Sequence, residues 1–165
     1  MKVSFSARQP LPFHIANIGK NVDFPDKNRN YTRYDEQRVN DILSYGEQSL
    51  PYLNIILKNS KDEKQICETL YILDKMSDKN PDKVAHSYGY ISRFNNTDNP
   101  NIQVLLAGIY RKTQVPDGFG PLVKMLIRES KNDTKKPFDP TEEIGGAILE
   151  YLKNYSSTNV YRNLP

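Results

Sequence analysis

A repeated apolar pattern with a period of 35 residues constrains the fold of this chain more than any other feature of its sequence. Residues 50–57 (LPYLNIIL) and 120–127 (GPLVKMLI) align with Pro51 on Pro121, 70 residues apart. Half of that interval places a third copy at residues 84–91 (VAHSYGYI), where apolar side chains recur at matching positions. A repeat of this length is typical of stacked helix pairs, which bury their apolar faces against their neighbours.

Between these copies lie segments whose apolar residues are spaced as on one face of a helix, as expected for the second helix of each pair. The same i, i+4, i+7 pattern occurs at Ile66, Leu70 and Leu73 and again at Ile102, Leu106 and Ile109. Asn80-Pro81 and Asn99-Pro100 each join a capping residue to a proline suited to the first helical turn, and Ser49 takes the capping position before Leu50. We therefore expect about seven helices, near residues 35–45, 50–58, 62–76, 81–94, 100–113, 122–128 and 140–155.

The order of helices and turns in these pairs resembles that of the HEAT/armadillo-like α-solenoids. An LPxLxxxL helix follows Ser49, a short polar turn comes next, and a second helix opens after an Asp/Pro-type turn, as at Asp98-Asn-Pro. The resemblance covers roughly residues 35–155. It implies an all-α fold, a short right-handed superhelical stack of antiparallel helix pairs. It also implies a non-enzymatic scaffold that binds a protein or peptide partner on a concave or ridge surface.

Three segments follow from this pattern: a leader at 1–31, a HEAT-like domain at 32–156 and a tail at 157–165. The leader is broken by prolines and lacks helical periodicity, so we expect it to be irregular. It is nevertheless rich in apolar side chains, namely Phe5, Leu11, Phe13, Ile15, Ile18 and Phe24. We expect these to pack across the first helices and cover the exposed end of the stack. A tethered motif that docks on a partner is the alternative.

Composition narrows the function classes. The 165 residues suit one domain, and the 23 basic and 20 acidic side chains are interspersed, so a formal charge of +3 does not by itself predict nucleic-acid or membrane binding. The single cysteine, Cys67, excludes an intrachain disulfide, and we interpret it as a buried structural thiol in a reducing compartment. No apolar run reaches the roughly 20 residues that span a bilayer, and no secretory signal is recognised, so we expect a cytoplasmic protein.

Catalytic and metal-binding patterns are sparse. His14 and His86 are the only histidines, so a histidine-based metal site or relay has little to build on. The acid pairs Asp62-Glu63 and Glu142-Glu143 fall in first helical turns, where carboxylates complement the helix dipole. The sequence contains no GxxxxGK[ST], GxGxxG, HExxH or GxSxG motif. It therefore predicts no cofactor and no enzyme activity.

Tyrosine is the most abundant aromatic residue, with eleven copies and no tryptophan. Four tyrosines flank core positions by one residue and are the candidate partner-binding residues: Tyr52, Tyr71, Tyr90 and Tyr110. A tyrosine with one apolar face and one hydroxyl is common at interfaces. The alternative is that these rings wedge between stacked helices with their hydroxyls reaching solvent.

Two other functions stay open at this point. A nucleic-acid-binding protein would use the local basic excess formed by Arg111, Lys112, Lys124, Lys131, Lys135 and Lys136. An enzyme with an unrecognised site would most plausibly use Glu68, His86 and Tyr90, if their helices face one groove. The sequence does not determine the identity of the partner or the oligomeric state.

The helical register also predicts a core. Its members recur on the apolar stripes and are Leu53, Ile56, Leu70, Leu73, Leu106, Ile109, Leu126, Ile148 and Leu152. Gly145-Gly146 lies early in the last predicted helix, where each glycine costs about 1 kcal/mol relative to alanine. We therefore expect another backbone to pack closely against that turn.

Overall fold

The computed structural model describes residues 9–132 and 138–155, and the regular secondary structure of this part of the chain is helical, which confirms the all-α prediction. It contains no strand, only two isolated backbone bridges. The α-helices are α1 (Leu11–Ala16), α2 (Glu36–Leu43), α3 (Leu50–Asn59), α4 (Glu63–Met76), α5 (Pro81–Ala85), α6 (Tyr88–Ile91), α7 (Pro100–Thr113), α8 (Phe119–Ser130) and α9 (Thr141–Asn154). Short 3-10 helices occupy Gly46–Ser49, Ser92–Phe94 and Pro116–Gly118.

The described residues form nine α-helices, so the expectation of about seven was wrong. One addition is α1, in the segment expected to be irregular. The other arises because the helix predicted over 81–94 is divided into α5, α6 and a 3-10 turn. Ser87 has φ −87° and ψ 4°, and its amide bonds to the Val84 carbonyl three residues back. This i to i−3 bond interrupts the i to i−4 hydrogen bonds of the α-helix. The spacing of apolar residues in the sequence continues through this point and therefore did not predict the interruption.

Three long helices lie side by side and form one layer: α4 packs on α7, and α7 packs on α9. The other helices cover this row, with α3 against α4, α5 against α4 and α7, and α8 against α9 and α7. Lys112 near the end of α7 pairs with Asp74 near the end of α4, and Tyr151 near the end of α9 donates to the Val115 carbonyl just after α7. The helices of the row therefore run parallel.

The predicted core is correct except at its last members. Leu53, Ile56, Leu70, Leu73, Leu106 and Ile109 are all buried. Leu126 and Ile148 are only half-buried, and Leu152 is 36% exposed. For Ile148 and Leu152 the reason is that α9 ends the described row: it packs on α7 and α8, and the residues that it buries are Ile144, Ala147 and Tyr151.

Of the three predicted capping residues, Asn99 bonds to an amide of its own helix, with its side chain reaching forward along the chain, whereas Asn80 makes no side-chain capping hydrogen bond. Asn99 Oδ1 accepts a hydrogen bond from the Asn101 amide at 2.9 Å and so begins α7 as predicted. Ser49 does not cap α3, because its hydroxyl donates to the Gly46 carbonyl at 2.7 Å within the preceding 3-10 turn. That turn feeds directly into α3, so the first amides of α3 face another helical turn.

The leader is in contact with the helical domain. Leu11, Ile18 and Val22 are buried, and α1 packs on α2. Phe13 is 49% exposed, so the expectation that it packs was wrong: it projects to the solvent side of a six-residue helix. Ile15 and Phe24 are half-buried and pack against the core, and Phe5 lies outside the described residues.

A buried ion pair holds the leader in place. Glu68 on α4 is fully buried, and Arg38 on α2 donates to it through Nε at 2.6 Å and Nη2 at 3.1 Å. Arg38 also donates to the Lys20 carbonyl, and the Gly19 amide donates to Glu68 Oε1 at 3.2 Å. Gly19 has φ +93°, and a Cβ there would lie 3.0 Å from the Gln65 backbone, so this contact requires glycine.

We predict that Arg38→Met destabilises the fold by about 3–5 kcal/mol, because it leaves the Glu68 carboxylate buried without its partner. The measurement is urea denaturation followed by circular dichroism. The matched control is Lys83→Met, which removes the exposed Lys83–Glu47 pair and should cost less than about 1 kcal/mol. Equal effects of the two substitutions would show that the buried pair does not anchor the leader.

Candidate functional site

A groove runs over the row of parallel helices and encloses about 370 Å³. One face of α7 forms its floor, with lining residues Asn101, Val104, Leu105, Gly108 and Arg111 at helical spacing. Residues of α4, the start of α9, and the segments 30–34 and 138–139 complete the lining. We call this feature the α7 groove. Its volume falls in the range of about 300–1,000 Å³ that ligand sites commonly have.

Four aromatic rings line the α7 groove: Tyr31, Tyr34, Tyr71 and Phe138. The Tyr34 and Tyr71 rings stack with centroids 4.0 Å apart and planes 9° apart, which joins the segment just before α2 to α4. The Tyr71 hydroxyl donates to Glu36 Oε1 at 2.8 Å. Burial is the main reason that the pKa of each of these two tyrosines is raised, so both hydroxyls stay neutral at physiological pH.

A glycine in α7 makes room for a carboxylate in the groove. A Cβ at Gly108 would lie 2.5 Å from Asp74 Oδ1, so the Asp74 side chain rests directly on the α7 backbone. Lys112 Nζ lies 3.0 Å from Asp74 Oδ1 and 3.0 Å from Asp78 Oδ1. Burial raises the pKa of Asp74, and the neighbouring Lys112 ammonium opposes that rise. The Asp74 charge is thus largely compensated inside the protein.

Three charged side chains of the groove make no such internal contact. Arg111, Glu142 and Glu143 are exposed, and none of their side chains forms a hydrogen bond or ion pair with another described residue. Arg111 lies in the last turn of α7, whereas Glu142 and Glu143 lie in the first turn of α9. Because α7 and α9 run parallel, the guanidinium and the two carboxylates lie toward opposite ends of the groove. An apolar and aromatic channel with opposite charges at its ends is suited to holding an extended ligand.

The four candidate tyrosines do not share one surface. Tyr52 and Tyr90 are each 40% exposed, on α3 and α6, and Tyr71 lines the α7 groove. Tyr110 is fully buried, and its hydroxyl donates to Asn95 Oδ1 at 2.5 Å. The prediction does not hold for Tyr110, because Tyr88 of α6 and Gly118 pack against its ring and leave it no solvent-facing position. Only Tyr71 belongs to the candidate site.

The six basic residues are also divided. Arg111 lines the groove, Lys112 is held by Asp74 and Asp78, and Lys124 and Lys131 are exposed on and just after α8. Lys135 and Lys136 lie outside the described residues. Lys112 was therefore a wrong choice for a free cationic surface, since its ammonium is committed to two carboxylates.

The three residues considered for an unrecognised enzyme do not meet. Glu68 is fully buried and bound to Arg38, whereas His86 and Tyr90 are exposed between and on the short helices α5 and α6. Within the described residues no group of three or more His, Cys, Asp or Glu side chains is arranged to hold a metal ion. None of the helices in that part of the chain combines the length and apolar character needed to cross a membrane.

The glycine pair in α9 corrects another expectation. A Cβ added at Gly145 or at Gly146 would meet no atom of the described residues within 4 Å, so no backbone from that part of the chain packs closely against the turn. The glycine inside a long helix that a neighbour does require is Gly108. A glycine within an otherwise regular helix indicates a packing or functional reason, so the sequence did carry a local sign of the groove at Gly108.

Comparison with descriptions of known protein families, with characterised proteins and with solved structures gives no significant match. The site is therefore defined by its geometry alone. Among the lining residues that were not singled out from the sequence are Tyr31, Tyr34, Asn101, Val104 and Gly108. These residues come from segments up to 77 positions apart, which no local pattern connects.

We predict different effects on stability for two glycine substitutions within helices. Gly146→Ala should raise the free energy of unfolding by about 0.5–1 kcal/mol, because alanine stabilises a helix and its Cβ meets open space. Gly108→Ala should fall short of that gain by about 1 kcal/mol or more, because the new Cβ displaces Asp74 from Lys112. Thermal and urea unfolding of both variants provide the test. Equal gains would mean that Asp74 does not depend on the glycine.

We predict that Cys67 is inert in the folded protein. The thiol is fully buried, and burial raises its pKa to about 12. Since only the thiolate reacts, roughly one thiol in 10⁴ would be ionised at pH 8 even if reagent reached it. Titration with a thiol-reactive dye should give no labelling until denaturant is added. Rapid labelling of the native protein would contradict the buried structural role.

Proposed function

We propose that this chain is a non-enzymatic helical-repeat scaffold that binds a peptide segment of a protein partner in the α7 groove. The observation that carries the proposal is the groove itself. Val104 and Leu105 at the centre of its floor and four aromatic rings are combined there with charged side chains that have no ion-pair partner among the described residues. Apolar pockets supply affinity for peptide side chains, and a few placed polar groups supply orientation.

We also propose that the fold is a short α-solenoid of the HEAT-like kind. Two features support it: the 35-residue sequence period, and the row of parallel helices α4, α7 and α9 with the other helices packed along it. A row of parallel helices produces an extended surface on which one ligand touches several repeats. The α7 groove lies on that surface, since α4, α7 and α9 all contribute to its lining.

Electrostatics favours a peptide over nucleic acid at this site. The lining carries four carboxylates, those of Asp74, Asp139, Glu142 and Glu143, against one guanidinium, that of Arg111. Nucleic-acid sites instead neutralise phosphates with clustered lysine and arginine side chains. Of the basic residues considered for nucleic acid, only Lys124 and Lys131 are both exposed and outside the groove among the described residues. We place the protein in a reducing compartment such as the cytoplasm, which its single buried thiol supports.

We predict that Val104→Arg abolishes peptide binding. Val104 is half-buried on the groove floor, so an arginine there would fill the channel without entering the core. Retention of a random peptide library on immobilised protein should fall at least about tenfold, because a central interface residue commonly contributes more than about 1.4 kcal/mol.

The matched control is Ile55→Arg, which changes a 58% exposed apolar residue on α3 that does not line the groove. This variant should retain the library as the wild type does, and both variants should keep the wild-type circular dichroism spectrum. No retention by the wild type, or equal retention by Val104→Arg, would overturn the proposed function.

A further inference from the structure

We propose that the ligand of the α7 groove is a bipolar peptide, an extended segment with a basic side chain at one end and an acidic group at the other. This inference rests on the proposed function, since it names the chemical class of peptide that the same site binds. It follows from the direction of the helices, from the spacing of the groove charges and from which of those charges are already compensated.

The direction of the helices separates the charges. Tyr151 and Tyr155, at the end of α9, donate to the carbonyls of Val115 and Gln114, which follow directly after α7. The end of α9 is therefore level with the end of α7, and the start of α9 is level with the start of α7. Glu142 and Glu143 belong to that first turn of α9, so they lie near the opposite end of the groove from Arg111.

The spacing of the groove floor sets the length of the ligand. Asn101 and Arg111 mark the ends of the α7 floor and are ten residues apart, a distance of about 15 Å along a helix axis. An extended peptide rises about 3.3 Å per residue, so about four to five residues cover the same distance. Between the ends, Val104, Leu105 and the Tyr71 ring offer contacts to apolar side chains.

The ion pairs within the protein determine which charged groups of the groove are available to bind the two ends of the peptide. Asp74 lies on the Arg111 side of the groove, but its ion pair is with Lys112 at 3.0 Å, and Arg111 attracts it without a direct contact. The exposed guanidinium of Arg111 therefore keeps its hydrogen-bond donors for a ligand carboxylate. Glu142 and Glu143 make no contact with a described cation, and together they favour an ammonium or guanidinium. A uniformly basic peptide would place a cation against Arg111. A uniformly acidic peptide would place a carboxylate against the glutamates.

The test uses four pools of N-acetylated, C-amidated pentapeptides with three randomised central residues. Two pools are bipolar, Lys-X-X-X-Asp and Asp-X-X-X-Lys, and two are uniform, Lys-X-X-X-Lys and Asp-X-X-X-Asp. Retention on the immobilised full chain is compared at low and at high salt. One of the bipolar pools should be retained about fivefold more than either uniform pool, and the difference should shrink at high salt.

Substitutions in the groove test which residues bind the basic end and which bind the acidic end of the peptide. The double variant Glu142→Gln/Glu143→Gln should remove the preference for the bipolar pool over the acidic one. Arg111→Gln should remove its preference over the basic pool. The controls Asp82→Asn and Lys124→Gln neutralise exposed charges that do not line the groove, and they should leave both preferences unchanged.

The outcomes separate this inference from the proposed function. If peptides bind and Val104→Arg blocks them, but a uniform pool is retained as well as the bipolar pools, the groove binds peptides and the bipolar assignment is wrong. If the bipolar preference persists in the glutamate or Arg111 variants, the assignment is also wrong. If no pool is retained and the random library is not retained either, the proposed function fails together with it.

Discussion

The buried Arg38–Glu68 ion pair is the interaction on which the arrangement of this molecule depends most. It joins α2, α4 and the leader in one place, because Arg38 also reaches the Lys20 carbonyl and Glu68 also accepts from the Gly19 amide. A fully buried carboxylate is tolerated only with such partners. The pair thus fixes where the leader crosses the helices, and the leader continues from there to the segment 30–34 that lines the groove.

The central position of α7 links folding to the proposed function. This helix packs on both α4 and α9 and contributes the fully buried Leu106 to the core, while its Val104 face stays half-exposed and forms the groove floor. Gly108 allows Asp74 of α4 to rest on α7, and the hydroxyl of Thr32, just after the leader, donates to Asn101 Oδ1 at 2.6 Å. The packing that holds the helices together therefore also shapes the surface that would meet a partner.

Much of the fold was predictable because helical periodicity is a local property of the chain. The stripe of α4, for example, placed Leu70 and Leu73 correctly in the core, and the Asn99 cap marked the start of α7. The candidate site was not predictable in the same way. Tyr71 and Arg111 were noticed for separate reasons, and nothing in the sequence indicated that they line one groove with Tyr34 and Gly108. Exposure also depends on neighbours, as the fully buried Tyr110 illustrates.

The sequence by itself determined the all-α class, most of the long helices and the apolar faces they bury, since each of these follows from spacing within a few turns of one helix. Only the tertiary structure decided which charges are compensated and which remain free. Lys112 and Arg111 are adjacent in sequence, yet one is held by Asp74 and Asp78 while the other faces the groove. The physical reason is that successive helical residues point about 100° apart, so adjacent side chains meet different neighbours once the helices pack.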